Sequence, residues 1–201
     1  KEEYKKFSFE MMDKPVSYYA FEILYWCGLR MGELLALTPA DFNFETHTLR
    51  INKSYQRLHR EDVITPPKTL KSNRTIKIPQ FLCDEMQDYL KMLYEPKEDE
   101  RIFTISKSYL HHEMNRGSKV SGVKRIRVHD LRHSHVSLLI NMGFTVLAIA
   151  DRMGHESIDI TYRYAHLFPS EQTQMAEQLD IERMEKLNRS IPGITGRSRA
   201  D

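Results

Sequence analysis

Four side chains in the second half of the chain have the types and the order that would suit binding and cutting a phosphodiester. His129 and Arg132 are three residues apart, His155 follows Gly154, and Tyr164 comes nine residues after His155. Arginine and histidine bind phosphate oxygens through charge-assisted hydrogen bonds, and a phenol oxygen can act as a covalent nucleophile. We therefore predict a phosphate-binding site that carries a tyrosine nucleophile.

The tyrosine and the second histidine also have ordinary structural interpretations. A histidine just after a helix-ending glycine is commonly a hydrogen-bonded surface residue, and a lone tyrosine more often packs than reacts. Tyr162 and Tyr164 share a predicted short helix, where about 100° per residue turns their side chains about 200° apart. Only one of the two tyrosines can therefore face the site.

A cluster of histidines raises the alternative of a zinc site. His129, His133 and His135 are separated by spacings of four, two and six residues. Only the four-residue spacing places two ligands on one face of a helix. We therefore predict no metal here.

Arg30 lies in the sequence Gly-Leu-Arg-Met-Gly-Glu, inside a region that is otherwise predicted to be an apolar helix. Burying an unpaired arginine is costly, so this guanidinium must find an anion. Glu33, three residues later, and a ligand phosphate are both candidates. The flanking glycines favour close approach of a backbone or a ligand.

Lys68 follows two prolines at a predicted hairpin tip and precedes Lys71 and Arg74. An ammonium on such a loop can bind a phosphate or donate a proton. Alternatively, these three cations simply contact backbone phosphates, or no ligand.

Charge is unevenly distributed along the chain, although the net charge is only +2. Residues 50–77 carry eight Lys and Arg against two acidic residues, and residues 116–132 carry six against one. The segments have net charges of +6 and +5, so the rest of the chain sums to −9. Such segregation predicts one basic face for a phosphate backbone, and two solvated basic loops are the alternative.

The composition is that of one folded domain: 201 residues, 40% hydrophobic and 29% charged. No run approaches the roughly 20 apolar residues of a membrane span, and the charged start is unlike a signal peptide. Two distant cysteines argue against a disulfide framework, and the cytoplasm is the default compartment. Because the chain starts without Met inside a predicted helix, we expect an excised domain.

Periodicity predicts a mainly helical chain with a small antiparallel sheet, an α+β fold. A buried helical hairpin is predicted over residues 21–37, and strands over 48–55 and 74–78 are expected to form a three-stranded sheet. Residues 115–128 are predicted to be a loop. Further helices are predicted over residues 81–94, 131–142, 146–153, 158–164 and 171–187.

Taken together, these motifs resemble the catalytic domain of the tyrosine recombinases, the phage integrase family. The matching segments are Gly-Leu-Arg-Met-Gly-Glu-Leu, Pro-Lys-Thr before a basic strand, His-Asp-Leu-Arg-His-Ser-His, Met-Gly-His and Tyr-Ala-His. Each segment is weakly specific, but five in this order over almost the whole chain are highly specific. The residues within these motifs are most similar to those of integrases of mobile elements.

The resemblance implies a role for each site residue. Tyr164 would be the nucleophile, because the family's tyrosine lies nine residues after the Gly-His histidine. Arg30, Arg132 and His155 would hold the scissile phosphate, and His129 would assist proton transfer. Lys68 would protonate the leaving 5′ oxygen, with Lys71 as a competing candidate, and Glu33 would support the site. The expected DNA contacts are Lys53, Arg57, Lys71, Arg74, Lys119, Lys124, Arg125 and Arg127.

The resemblance also implies an organisation and a reaction. Residues 1–190 would form the catalytic domain and residues 191–201 a loose tail, and the family's N-terminal core-binding domain is not visible in the chain. Strand exchange through a 3′-phosphotyrosine would integrate or excise a mobile element without ATP or a divalent ion. Homotetramers on DNA would exchange the helix over residues 171–187. A nicking-closing topoisomerase and a noncatalytic DNA-binding module are the alternatives.

Overall fold

The computed structural model describes residues 1–67, 69–162, 164, 167 and 172–190. The chain divides into two units, residues 1–167 and 168–201. The helices are α1 (Glu2–Met11), α2 (Pro15–Cys27), α3 (Met31–Leu35), α4 (Gln80–Met92), α5 (Lys107–Ser121), α6 (Asp130–Asn141), α7 (Val146–Met153), α8 (Asp159–Tyr162) and α9 (Gln172–Ser190). The strands are β1 (Phe42–Asn43), β2 (Thr48–Ile51), β3 (Ser54–Leu58), β4 (Glu61–Thr65) and β5 (Arg74–Lys77). Within these residues no helix is long and apolar enough to cross a membrane.

Helix α2 is the central helix of the first unit and is buried on most of its surface. Pro15 occupies its first turn, where the missing N–H forms no helical hydrogen bond anyway. Phe21, Ile23 and Leu24 are almost fully inaccessible to solvent. Contacts with α1, α4 and α6 surround α2, so it forms the base on which the other helices pack.

The predicted helical hairpin over residues 21–37 is interrupted at the position that matters most. Gly28 ends α2 in the left-handed conformation, with φ +64°, and a Cβ there would lie 2.7 Å from Cδ2 of His135. Arg30 is extended and caps the short helix α3. The prediction that Arg30 lies within a helix is therefore wrong, because close packing of α6 requires a glycine turn before it.

The strands form two sheets instead of the single predicted one. A three-stranded antiparallel sheet has the order β1-β2-β5, with Leu49 paired to both Phe42 and Ile76. Strands β3 and β4 form a separate antiparallel pair. The predicted strand over residues 48–55 is divided at residues 52–53, and its halves join different sheets. The antiparallel character is confirmed, whereas β1 and β4 were not predicted.

Residues 115–121 belong to helix α5, so the predicted loop over residues 115–128 begins only after it. Gly117 is buried inside this helix, where a Cβ would lie 2.6 Å from Sδ of Met11 and Cε2 of Phe7. The glycine permits close packing of α1 on α5. Gly122, with φ +69°, is the residue that ends the helix.

Helices α6 and α7 agree with the predicted segments over residues 131–142 and 146–153, whereas α8 ends at Tyr162, so the prediction that Tyr164 lies in the same helix is wrong. Thr145 caps α7 by accepting a hydrogen bond from Ala148 N, and Gly154 ends it with φ +61°. Ser157 accepts a hydrogen bond from Asp159 N at the start of α8. In the second unit α9 spans residues 172–190, close to the predicted 171–187, and the predicted tail over 191–201 lies outside the described residues.

Candidate active site

Arg30, Glu33 and Arg74 form one network at the start of α3. Glu33 accepts hydrogen bonds from the backbone N of Arg30 at 2.9 Å and from its Nη1 at 2.7 Å. The same two carboxylate oxygens also accept from Arg74, from its Nη1 at 3.1 Å and its Nη2 at 3.0 Å. The predicted Arg30–Glu33 pair is therefore present, and a second arginine completes it.

This network keeps Glu33 ionised, and it leaves Arg30 partly exposed to solvent. Burial alone would raise the pKa of Glu33, but the hydrogen bonds and charge of Arg74, together with Arg30, lower it to about 2. The side chains of Glu33 and Arg74 are 6% exposed, whereas that of Arg30 is 39% exposed. Because Glu33 is shared between two cations, Arg30 keeps a solvent-facing edge that can bind an anion.

Arg132 is buried between two glycine turns. It is the third residue of α6, and its Nη1 donates to Gly28 O and its Nη2 to Met153 O, both at 2.5 Å. These carbonyls belong to the ends of α2 and α7, so the guanidinium ties three helices together. Each Nη nitrogen carries a second N–H, which gives the group further donors for a phosphate.

Arg132 interacts electrostatically with the other site residues, and these interactions affect its pKa. Burial and then the nearby charge of Arg30 lower its pKa to about 9, while Glu33 opposes this shift. Tyr164 also interacts electrostatically with this guanidinium. Arg132 is therefore still protonated at neutral pH, and it lies within electrostatic range of both Arg30 and the predicted nucleophile.

His155 lies directly after the turn that ends α7 and is 8% exposed. Its Nδ1 is 2.8 Å from Oγ1 of Thr161 in α8. Burial and then the charges of Arg132 and Arg30 lower its pKa to about 4, so the ring is neutral at pH 7. When Nδ1 accepts the threonine proton, Nε2 carries the ring proton and can donate to a phosphate oxygen.

The two tyrosines are in different environments. Tyr162 is 53% exposed on α8, whereas Tyr164 lies in the following turn and is partly buried. The hydroxyl of Tyr164 forms a hydrogen bond with Nδ1 of His133 on α6. Tyr164 is thus in contact with the helix that also carries Arg132.

His129 lies at the N-terminus of α6, one turn before His133. Their rings are edge to face, with centroids 5.0 Å apart. Burial and then the neighbouring His133 lower the pKa of His129. As predicted, His129 and Arg132 lie within the first turn of one helix.

The loop that carries the predicted lysine borders a cavity of about 270 Å³ beside Arg30. Lys68 lies outside the described residues, but its neighbours Pro67 and Thr69 line this cavity together with Arg30 and Glu156. Lys71 Nζ donates to Glu156 O at 3.1 Å, next to His155. Both lysines remain candidates for the acid.

The predicted DNA contacts occupy different environments. Arg57, Lys119, Lys124, Arg125 and Arg127 are exposed. Lys53 is partly buried and bonds Asp41 at 2.6 Å. Arg74 is buried, so the prediction that it contacts DNA is wrong: its guanidinium binds Glu33, and its Nε donates to Arg152 O.

Two members of the site were missed from the sequence. His133 was considered only as a zinc ligand, although its position one turn after His129 indicates a shared helix face. Arg74 was assigned to DNA because its charge in a basic strand gave no sign of burial. In the part of the chain that the structure describes, no group of three or more His, Cys, Asp or Glu side chains is placed to hold a metal.

Comparison with known proteins identifies similar chains. The model of the phage integrase family matches residues 2–171. The ICEBs1 integrase of Bacillus subtilis is 32% identical over 194 residues, which are 89% of this chain and 53% of that protein. The chain therefore spans about half the length of this curated relative.

Two solved structures share the fold. The Tn1549 transposon integrase, in complex with a circular intermediate DNA, has a TM-score of 0.71 at 22% identity, over 89% of this chain and 63% of that one. The catalytic domain of bacteriophage HP1 integrase has a TM-score of 0.62 at 21% identity, over 88% of this chain and 91% of that one. The predicted catalytic-domain fold of the tyrosine recombinases is therefore confirmed.

Proposed function

The chain belongs to the phage integrase family, and from this premise we propose that it recombines DNA at specific sites. It cuts and rejoins strands through a covalent 3′-phosphotyrosine formed by Tyr164, and thereby integrates or excises a mobile element. The observation that carries the proposal is the environment of the Tyr164 hydroxyl. This hydroxyl bonds to His133 and interacts with the charge of Arg132, whose own guanidinium is coupled to Arg30.

Two guanidinium groups stabilise the negative charge of the transition state. Attack at phosphorus gathers negative charge on the nonbridging oxygens, and rigid cationic donors stabilise it without reorganisation. Arg132 is fixed by two carbonyls and Arg30 by Glu33, so both are preorganised. His155 adds a neutral donor, and Glu33 supports the site from behind Arg30.

The two remaining roles concern protons. Lys68 protonates the leaving 5′ oxygen, with Lys71 as the competing candidate, and His129 assists proton transfer near the phosphate. The phosphodiester energy is retained in the covalent link, so the reaction consumes no ATP.

Double-stranded DNA is the proposed partner. Cations on and beside β3, in the loop before β5, on α5 and in the segment before α6 form the proposed basic surface for its phosphates, and all of them except the partly buried Lys53 are exposed. This surface comprises Lys53, Arg57, Lys71, Lys119, Lys124, Arg125 and Arg127. The Tn1549 integrase structure, which contains DNA, supports this partner.

The proposed assembly is a homotetramer on two DNA sites, in the bacterial cytoplasm. Helix α9 is the element that neighbouring subunits would exchange. Several apolar residues on it are exposed, namely Met175, Leu179, Ile181 and Met184, which supports a role in contacts between subunits.

A suicide substrate tests the proposal directly. A nicked duplex that carries the element's end is incubated with the full-length protein in the presence of a metal chelator, and covalent protein–DNA adducts are separated in denaturing gels. We expect an adduct that Tyr164→Phe abolishes and that Tyr162→Phe leaves intact. An adduct that survives Tyr164→Phe would overturn the assignment of the nucleophile.

A further inference from the structure

His133 is in direct contact with the atom proposed to attack DNA. Its Nδ1 is hydrogen-bonded to the Tyr164 hydroxyl, and the two ring centroids are 5.8 Å apart. The residue lies on α6 between Arg132 and Ser134, so the backbone that positions the phosphate-binding arginine also positions this imidazole.

An acidic residue lies on the other side of the same ring. Oδ1 of Asp130 is 4.0 Å from Nε2 of His133, one turn earlier on α6. The carboxylate is itself fixed by Arg127, which donates from its backbone N at 2.9 Å and from Nη2 at 2.8 Å. A carboxylate behind a histidine stabilises the imidazolium that forms when the opposite nitrogen takes a proton.

We propose that His133, backed by Asp130, is the proton acceptor that activates Tyr164. This inference rests on the proposed function and adds to it a residue that had been assigned no role. In the step, the O–H bond of Tyr164 breaks and its proton moves to Nδ1 of His133. The phenol oxygen forms a bond to phosphorus, the bond from phosphorus to the 5′ oxygen breaks, and the lysine protonates that oxygen.

His129 is the alternative acceptor, and geometry separates the two residues. The His129 ring approaches the His133 ring with its centroid 5.0 Å away, on the preceding turn of the helix. The direct hydrogen bond to the nucleophile, in contrast, is made by His133. His129 is left to act on the phosphate or through His133.

The experiment uses two suicide duplexes that differ in one atom. The first has the natural 5′ oxygen as leaving group, and the second has a bridging sulfur there, which departs as a thiolate without needing a proton. Single-turnover adduct formation is measured for the wild-type protein, His133→Ala, His133→Asn and His129→Ala. Asparagine keeps a hydrogen-bond acceptor near Nδ1 but cannot hold a proton, and DNA binding of each variant is measured in parallel.

We expect both His133 variants to bind DNA normally and to form adduct about 100-fold more slowly or worse, the usual scale of general-base catalysis. We expect the same defect on the sulfur substrate, since that substrate bypasses only the acid. Rates within about threefold of wild type, or recovery on the sulfur substrate, would overturn the inference. Recovery in His133→Asn alone would also overturn it, because the residue would then only orient the hydroxyl.

The controls keep this inference separate from the proposed function. Tyr164→Phe must give no adduct with either duplex, whatever the result for His133. His111→Ala, an exposed histidine on α5, should react like wild type. If Tyr164→Phe remains active, the proposed function fails, whereas a normal His133→Ala beside an inactive Tyr164→Phe removes only the present inference.

Discussion

Arg74 and Glu33 form a two-pronged ion pair across 41 positions of sequence, with N–O distances of 3.1 Å and 3.0 Å. Both side chains are only 6% exposed. Arg74 also donates to the carbonyls of Ser72 and Arg152, so one guanidinium joins the lysine loop, α3 and α7. We infer that it keeps the three parts of the site in register.

Replacing Arg74 with Ala should therefore destabilise the folded domain, because the substitution removes more than one ion pair. Removing one partner of a buried ion pair leaves an uncompensated charge and lowers the free energy of unfolding by about 3–5 kcal/mol. Urea titration measures the loss. Arg57→Ala is the control: its side chain is 60% exposed and 3.7 Å from Asp62, so the loss should stay below about 1 kcal/mol. Equal losses in both variants would contradict this interpretation.

Acid should destabilise the domain partly through His135. Burial and then the charge of Arg152 lower its pKa to about 3, so between that value and the usual pKa near 6.5 the unfolded chain binds a proton that the folded chain does not. Stability from this group is complete above the unfolded pKa and is lost as pH falls. The slope should approach about 1.4 kcal/mol per pH unit.

His135→Gln tests this window because glutamine can still accept the hydrogen bond from Arg152 Nε but does not titrate. Unfolding free energies measured from pH 6.5 to 5 should fall less steeply in the variant than in the wild type. Glu33, with its pKa of about 2, begins to contribute only below this range. Parallel curves for the two proteins would mean that His135 takes its proton equally in both states.

Gly154→Ala should damage both stability and cleavage. A Cβ at this position would lie 2.7 Å from Lys71 O and 2.9 Å from Cδ of Arg74. Gly143→Ala is a matched control, because Gly143 also has positive φ and its Cβ would meet no described atom within 4 Å. Both variants bear the left-handed strain of about 1–2 kcal/mol. Gly154→Ala should lose about 1–3 kcal/mol more, and its adduct rate should fall because His155 is displaced.

Arg132→Lys retains the charge but should lose most of the activity. A single ammonium cannot reproduce the planar group that spans Gly28 O and Met153 O and still bind a phosphate. We expect adduct formation on the suicide duplex to slow by about 100-fold or more, the scale of losing one oxyanion donor. Arg50→Lys changes a half-exposed arginine whose Nε lies 3.5 Å from the buried Asp41, and this variant should react normally. An adduct rate for Arg132→Lys close to that of the wild-type protein would show that only the charge of Arg132 matters.

The sulfur substrate also decides between the two lysines. Lys68→Ala should be slow on the oxygen duplex and recover on the sulfur duplex, because the thiolate needs no acid. Lys71→Ala should lose less on the oxygen duplex, since its Nζ already donates to Glu156 O. The opposite pattern would assign the acid to Lys71.

The helices that carry the site could be predicted because their sequence signals are local. Apolar spacing and terminal glycines marked α6 and α7, and both lie within about a residue of the predicted bounds. The resemblance added the pairing of Arg30 with the distant His129–Arg132 motif, which no local pattern contains.

The errors arose where tertiary contacts override local preference. Strand β4 begins with two acidic residues and pairs with β3 in a separate sheet, and the turn between them uses His59 and Arg60 at positive φ instead of glycine. Gly117 looked like a loop residue but serves helix packing. The burial of Arg74 depends on Glu33, 41 positions away, so composition could not reveal it.

The hydrogen bonds that hold the Arg132 guanidinium have a further electrostatic consequence. Its two carbonyl partners, Gly28 O and Met153 O, belong to the C-terminal ends of α2 and α7. Aligned peptide dipoles give such ends a partial negative potential. The buried guanidinium is thus held by backbone dipoles from two helices, and no carboxylate neutralises it directly at these contacts. Its positive charge therefore remains available to the DNA phosphate of the proposed reaction.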